Sequence, residues 1–277
     1  MSIIEAIIFG IVQGITEFLP ISSTAHIVIT QLLFNYQFPG LSFEIFLHIA
    51  SILAVIIYFR RDLIEVISGF FNYFVNKNKE NRTQFFLAIY IVIATGITAV
   101  LGILLKDFIG EGLKTPTVIA ISLTVTGIFL IVIERFVTYG NRKEGEMTFL
   151  DSIFVGLGQT IAVFPGISRS GATLITALFI GLNRETAVRY SFLLSIPAIL
   201  GSSVLAIGDF TGGELIAEIG LLSLIVSFIV TFIFSWIGIV WLIDFLKKNK
   251  LIYFALYCFA MALFVYFYLS PDTIMDI

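Results

Sequence analysis

Apolar residues run through this chain in long blocks separated by short polar stretches. Six blocks, at about 43–60, 84–106, 117–136, 186–207, 215–243 and 250–270, are long enough to cross roughly 30 Å of hydrocarbon as helices. Two regions break the pattern. Residues 1–19 run apolar through Glu17 and stop at Pro20, and a second piece covers about 23–36. Residues 148–164 stop at Pro165, and 171–182 follow. The later piece of each pair is too short to span, and Pro, Gly and Ser interrupt both pairs. Each reads as a re-entrant hairpin, two half-helices meeting at a polar tip. Backbone of that kind is tolerated at membrane depth only inside protein or beside a watery cavity. The pattern predicts an all-α polytopic membrane protein, a single membrane domain over 1–277, with six transmembrane helices plus two re-entrant helical hairpins.

The halves repeat. Gly10-Ile-Val-Gln13 leading to Pro20 and Ser22-Ser23 resembles Gly156-Leu-Gly158-Gln159 leading to Pro165 and Ser168-Arg169-Ser170. Ser51-Ile-Leu-Ala resembles Ser195-Ile-Pro-Ala, so the register stays close to 146, 145 and 144 residues. The first repeat covers 1–140 (re-entrant 1–36 plus three spans) and the second 148–277 (re-entrant 148–182 plus three spans), with the polar linker Gly140–Thr148 between them. Three spans is an odd number, so the second half enters from the opposite side. That is an inverted-topology repeat, the plan of transporters whose broken helices meet near the midplane.

Composition agrees. Of 277 residues 58% are hydrophobic and only 13% charged, too few to cover a water-facing surface. This excludes a soluble enzyme, a disordered chain and a basic nucleic-acid binder. Cys258, in an apolar run, is the one cysteine, which leaves no disulfide framework and no cysteine metal site. The basic residues set orientation. Thirteen of the sixteen Lys and Arg fall in alternate loops, from Arg60 and Arg61 to Lys247, Lys248 and Lys250, while Lys106 and Lys114 lie on the other side. The positive-inside rule makes the thirteen cytoplasmic and puts both termini outside. The first hairpin then dips in from outside and the second from the cytoplasm. Residues 62–78, with Phe70, Phe71, Tyr73 and Phe74, read as an interfacial helix.

The sixteenth basic residue, Arg169, sits on a polar turn at membrane depth, where a charge costs roughly 2.5–3.5 kcal/mol and needs a reason. Glu17 is its counterpart on the first tip. Gln13 and Glu17 are i, i+4 and share a helical face, Pro20 ends that helix, and Ser22 or Ser23 caps the next. Ser23 and His26, i, i+3, are placed to make an activated hydroxyl. The plainer alternative leaves Ser22, Ser23 and Thr24 as capping residues and His26 as a core histidine. In the second tip, Pro165-Gly166-Ile167-Ser168-Arg169-Ser170-Gly171-Ala172-Thr173 opens a helix whose free N–H groups, hydroxyls and guanidinium suit a phosphate. The alternative there is an Arg169–Glu17 ion pair that joins the tips. The pair Glu44 and His48 reads as lining the approach to the site or as packing, and Glu185 with Arg189 as structural.

These two segments, with Gly181-Leu-Asn183-Arg184 and Ser191-Phe-Leu-Leu-Ser-Ile-Pro197-Ala, resemble the undecaprenyl-diphosphatase family, also called bacitracin-resistance proteins, over essentially the whole chain. The resemblance implies a bacterial plasma-membrane hydrolase. It would convert undecaprenyl diphosphate to undecaprenyl phosphate and inorganic phosphate, recycling the lipid carrier for peptidoglycan synthesis and conferring bacitracin resistance. It implies catalytic roles for Glu17, Ser23 and Arg169, with His26 in support, and a divalent cation, Mg2+ or Ca2+, with Glu17 as a metal ligand. The family's acidic motif often begins with Glu where this chain has Gln13. Gln13 can donate, or coordinate through its amide oxygen, but cannot act as a base. Gln13, Ser22, Thr24, Gly166, Ser168, Ser170 and Thr173 are the expected substrate-binding residues. Ser23 or a water activated by Glu17 is the nucleophile, and the site is expected to open to the outer face. The expected partners are a polyprenyl diphosphate lipid and membrane lipids, with no nucleic acid. Gly201-Ser202-Ser203 can pack helices within or between chains, which leaves a homodimer open. The rival readings are an inverted-repeat transporter of a phosphate-bearing lipid and an anion channel. The carboxylate, serine and histidine together argue for chemistry.

Overall fold

The computed structural model describes residues 1–36, 42–105, 113, 115–205, 214–248 and 250–269. Lys106, Lys114 and the C-terminal residues from Ser270 onward lie outside these, and with them the expected positions of the two outer basic residues and of the C-terminus.

Twelve α-helices are described: α1 (Ile3–Thr16), α2 (Ser23–Leu33), α3 (Ser42–Tyr58), α4 (Arg60–Asn72), α5 (Lys79–Leu105), α6 (Pro116–Phe136), α7 (Phe149–Ile161), α8 (Arg169–Phe179), α9 (Arg184–Leu205), α10 (Glu214–Ile219), α11 (Leu221–Lys248) and α12 (Ile252–Tyr268). Among the described residues the protein is all-helical, with one isolated bridge between Arg142 and Leu182.

Four helices, α5, α6, α9 and α11, are long and apolar enough to cross a membrane, and α3 with α4 makes a fifth if a pair bent by 73° counts as one span. The protein is therefore a multi-pass membrane protein. On length alone this is fewer than the six expected spans. At 17 residues α12 is about 26 Å long, short of the hydrocarbon thickness. The expected block at 215–243 is also divided. Gly220, at φ +89, ends α10 and turns the chain into α11, a conformation glycine adopts without strain. The expected interfacial helix is shorter and earlier, α4, and its aromatic end packs on α5 through Phe70 and Tyr73 against Phe85, at 5.1 and 4.6 Å between rings.

Ion pairs gather the basic residues at one end of the bundle. Arg189, in the first turns of α9, reaches Asp62 and Glu65 of α4 and Glu144 of a 3-10 turn before α7. Arg184 donates to the Leu246 carbonyl near the end of α11 and pairs with Glu134 near the end of α6. Arg142 pairs with Asp151 of α7 and donates to the Ile180 carbonyl just past α8. So α7 starts and α8 finishes at this basic end.

The other short pair is anchored elsewhere. The Met1 ammonium donates to the Ile219 carbonyl, and Ser223 donates to the Met1 carbonyl, so α1 starts where α11 starts. Tyr36, beyond α2, donates to Glu5 of α1 at 2.8 Å. Close contact of α1 with α11 depends on small residues. A Cβ on Gly10 would lie 2.9 Å from the Ser227 carbonyl, and one on Gly14 would lie 2.7 Å from Phe234 Cβ. The four-residue spacing of Gly10 and Gly14 puts both bare patches on one face, the arrangement that lets membrane helices approach. Both tips consequently lie in the interior, where Pro20 packs on Cys258 of α12 at 3.8 Å from its carbonyl oxygen to the thiol.

Candidate functional site

The chain leaves α1 at Glu17, turns at Pro20, and enters α2 through Ser22. Ser22 has φ 68, and its hydroxyl caps α2 by accepting from the Ala25 N–H at 3.2 Å. This sharp entry brings the first turn of α2 back over the end of α1. Ser23 donates to Glu17 Oε2 at 2.7 Å. Gln13 Nε2 donates to the same oxygen at 2.7 Å, one helical turn away as the spacing predicts.

The second tip comes from the opposite end. Gly166, at φ +87, lies so close to α6 that a Cβ would sit 2.8 Å from Ser122 Cβ, and Ser122 donates to the Pro165 carbonyl at 2.8 Å. Ser168 caps α8 by accepting from the Gly171 N–H at 3.1 Å. Arg169 opens the helix and bonds Glu17 Oε1. Ser170 donates to the Leu19 carbonyl at 3.0 Å, and Ser168 reaches it at 3.4 Å, so the two tips are joined by hydroxyl–carbonyl bonds as well as by charge.

Glu17 is the centre. Its side chain is 1% exposed, and its two oxygens accept from four donors: Arg169 at Oε1, and Ser23, Gln13 and His48 Nε2 at Oε2, the last at 3.1 Å. A buried carboxylate is tolerated when paired and fully hydrogen-bonded, as here.

The structure brings Glu17, Ser23, Gln13 and Arg169 together. Ser22 and Ser168 serve as caps. Ser170 bridges the tips, Thr173 donates to the Arg169 carbonyl at 3.1 Å, and Thr24 is half-buried beside Ser23. It does not bring His26 to Ser23. The His26 Nδ1 donates to the Ser22 carbonyl at 2.7 Å, and its Nε2 takes the Tyr257 hydroxyl at 2.7 Å, with the rings stacked 5.5 Å apart. Both ring nitrogens are committed, so the expected serine–histidine pair is replaced by a serine–glutamate pair. His48, which the sequence left between approach and packing, instead reaches the centre. Tyr257 gave no signal beyond being a tyrosine in an apolar run.

A narrow cavity of about 20 Å³, room for roughly one water, adjoins the pair, with Glu17, Arg169, Ser170, Thr173, Gln159 and Ser191 on its wall. It continues between α9 and α11 past Val188 and Leu246, toward the basic end. Gln13 Oε1, Gln159 Oε1 and Ser191 Oγ are buried without a hydrogen-bond partner.

The donor set does not suit a cation held by protein. Among the described residues no three His, Cys, Asp or Glu side chains converge on one point. Glu17 has both oxygens engaged, one with a guanidinium that would repel a metal, and the unpartnered oxygens nearby, Gln13 Oε1, Gln159 Oε1 and Ser191 Oγ, are neutral.

Comparison with known proteins places the chain. The model of the family described as "Bacitracin resistance protein BacA" matches residues 6–264. The chain is 71% identical to "Undecaprenyl-diphosphatase 2" of Halalkalibacterium halodurans over 277 residues, covering both chains entirely. It is 60% identical to "Undecaprenyl-diphosphatase 1" of Shouchella clausii over 268 residues, 97% of each chain. It is 38% identical to "Undecaprenyl-diphosphatase" of Oceanobacillus iheyensis over 270 residues, again 97% of each. The chain belongs to the BacA bacitracin-resistance family.

Proposed function

We propose that this protein is an integral membrane phosphatase that hydrolyses undecaprenyl diphosphate to undecaprenyl phosphate and inorganic phosphate. It would thereby recycle the lipid carrier for peptidoglycan synthesis and confer bacitracin resistance. The observation that carries the reading is a serine hydroxyl and an arginine bound to opposite oxygens of one buried glutamate, beside a cavity in a membrane protein.

The diphosphate draws Arg169 from Glu17 to its terminal phosphoryl group, where the guanidinium and the free N–H groups opening α8 offset the charge. Glu17 Oε1, released from Arg169, leaves the carboxylate basic enough to take the Ser23 proton through Oε2. Ser23 Oγ attacks the terminal phosphorus, the bond to the bridging oxygen breaks, and undecaprenyl phosphate leaves. Water then attacks the phosphoserine, Glu17 returns its proton to the departing Ser23 Oγ, and inorganic phosphate is freed with both side chains restored. Gly166 allows the turn, and Ser22, Thr24, Ser168, Ser170 and Thr173 shape the phosphate cradle. His26, bound to Tyr257, supports the entry to α2 rather than moving the proton. A divalent cation, Mg2+ or Ca2+, would have to come with the diphosphate as its counter-ion, because the described residues around Glu17 do not make a cation site of their own.

For topology, the proposal is six spans with α1–α2 and α7–α8 as re-entrant hairpins. The halves form an inverted repeat, both termini and the site's opening lie at the outer face, and the membrane is the bacterial plasma membrane. The anchoring of the two pairs at opposite ends supports this. The cavity that extends toward the basic end favours the other approach, from the cytoplasmic side. An impermeant arginine reagent added to oriented vesicles separates the two: inactivation from outside supports the first, and inactivation only from inside the second. The function itself is tested by phosphate release from undecaprenyl diphosphate by purified protein in detergent. Release with no gradient is expected, whereas a transporter or channel would release none.

A further inference from the structure

His48 lies on the second turn of α3, mostly buried, 18% of its side chain being exposed. The roles of its nitrogens follow from their partners. Nδ1 is 2.7 Å from the Glu44 carbonyl oxygen, which can only accept, so Nδ1 carries a hydrogen. Nε2 faces Glu17 Oε2 at 3.1 Å, an oxygen that accepts from Ser23, so Nε2 carries a hydrogen as well and the ring in this arrangement is the imidazolium. The ring is thus clamped between the backbone of its own helix and the central carboxylate. Its fixed end is on α3, an element separate from both tips.

This matters because the other restraint on Glu17 is temporary. Arg169 holds Oε1 only until a phosphate competes for the guanidinium, and Gln13 sits on the same helix as Glu17 and moves with it. Once Arg169 has turned away, His48 is the remaining bond from a separate element that keeps Oε2 against the Ser23 hydroxyl.

We infer that His48 is a positioning residue for the hydrolysis, holding the Glu17 carboxylate on Ser23 through its Nε2 hydrogen bond while Arg169 is engaged with substrate. This rests on the phosphatase reading above.

Two amides separate the functional bond from the structural one. The amide nitrogen of Gln reaches where imidazole Nε2 stands, and that of Asn reaches where Nδ1 stands. His48→Gln therefore keeps a donor to Glu17 and loses the bond to the Glu44 carbonyl, and His48→Asn does the reverse. The experiment measures kcat and KM for undecaprenyl diphosphate with purified wild type, both variants and Ser23→Ala, each checked for a single size-exclusion peak. The expected result is kcat of His48→Gln within about threefold of wild type and kcat of His48→Asn lower by about 10²-fold, with KM little changed in both, because misplacing a reacting group acts on the chemical step. Asn at the wild-type level with Gln impaired would assign His48 a structural bond only and overturn the inference, as would wild-type rates in both. If His48→Asn does not fold, His48→Ala decides: recovery of kcat on adding imidazole is expected, and no recovery overturns the inference. A wild-type protein that releases no phosphate would remove the phosphatase reading and this inference with it. Active wild type with unaffected variants would remove the inference alone.

Discussion

Arg189 and Arg169 both pair with carboxylates, and they do so differently. Arg189 is surrounded: Asp62 and Glu65 from α4 and Glu144 from the turn before α7 all bind it, which ties three elements together at the basic end. Arg169 has a single carboxylate, Glu17, which already accepts from three other donors, and it lines a cavity. The first arginine has carboxylates enough that losing one bond leaves it held. The second can exchange its one partner for a ligand of like charge. A charge with alternatives stabilises a fold; a charge with one exchangeable partner beside open space is poised to bind.

That contrast can be broken by substitution. The largest effect is expected at the poised pair. Arg169→Ala should lower phosphate release from undecaprenyl diphosphate by at least about 10²–10³-fold, the usual cost of removing a group that offsets transition-state charge, with the protein still eluting as a single species. Arg189→Ala should do the opposite. It strands the mostly buried Glu144, while Asp62 and Glu65 keep access to solvent, so thermal unfolding in detergent should show a loss of roughly 1–3 kcal/mol, with turnover of the folded fraction near wild type. Next comes Gly14→Val, which forces side-chain carbon into Phe234 and the Thr231 carbonyl of α11. Overpacking of this kind costs about 1–3 kcal/mol, and because Glu17 follows on the same helix it should also impair turnover. A smaller effect concerns Glu144. Burial pushes its carboxyl above the ordinary value of 4.5, against the pull of Arg189. The folded state then binds the proton more tightly than the unfolded chain, so stability should fall as pH rises from 4.5 through the raised value. Glu144→Gln should flatten that slope in thermal unfolding measured across the same range. The smallest change is expected for Tyr257→Phe, which leaves His26 without its hydroxyl partner but touches neither Ser23 nor Glu17: phosphate release within about threefold of wild type.

The poised pair was legible in the sequence because charge is scarce. With only 13% charged residues, Glu17 and Arg169 stand out as charges away from the loops, and the repeat read from the sequence predicts that their tips meet. Local spacing also gave Gln13 to Glu17 correctly, since i, i+4 on one helix needs no tertiary knowledge. It misled at His26. Three residues from Ser23 places the ring near by, but its direction is set by the Ser22 carbonyl and by Tyr257, 231 residues further on. His48 was out of reach for the same reason. Its partner Glu17 lies on another helix, and nothing in the apolar run around it signals that its outer nitrogen faces a carboxylate. The helix lengths differed where a glycine intervened at Gly220 and where α3 bends into α4, two breaks that a hydropathy pattern passes over.

The central claim is that Ser23, held by Glu17 and approached by a phosphate bound to Arg169, carries out the attack. The most direct measurement is inorganic phosphate release from undecaprenyl diphosphate by purified wild type and Ser23→Ala, side by side in detergent. The account predicts rapid release by wild type and a loss of at least about 10³-fold in the variant, the scale on which enzymes lose a nucleophile. Near-normal release by Ser23→Ala would contradict it.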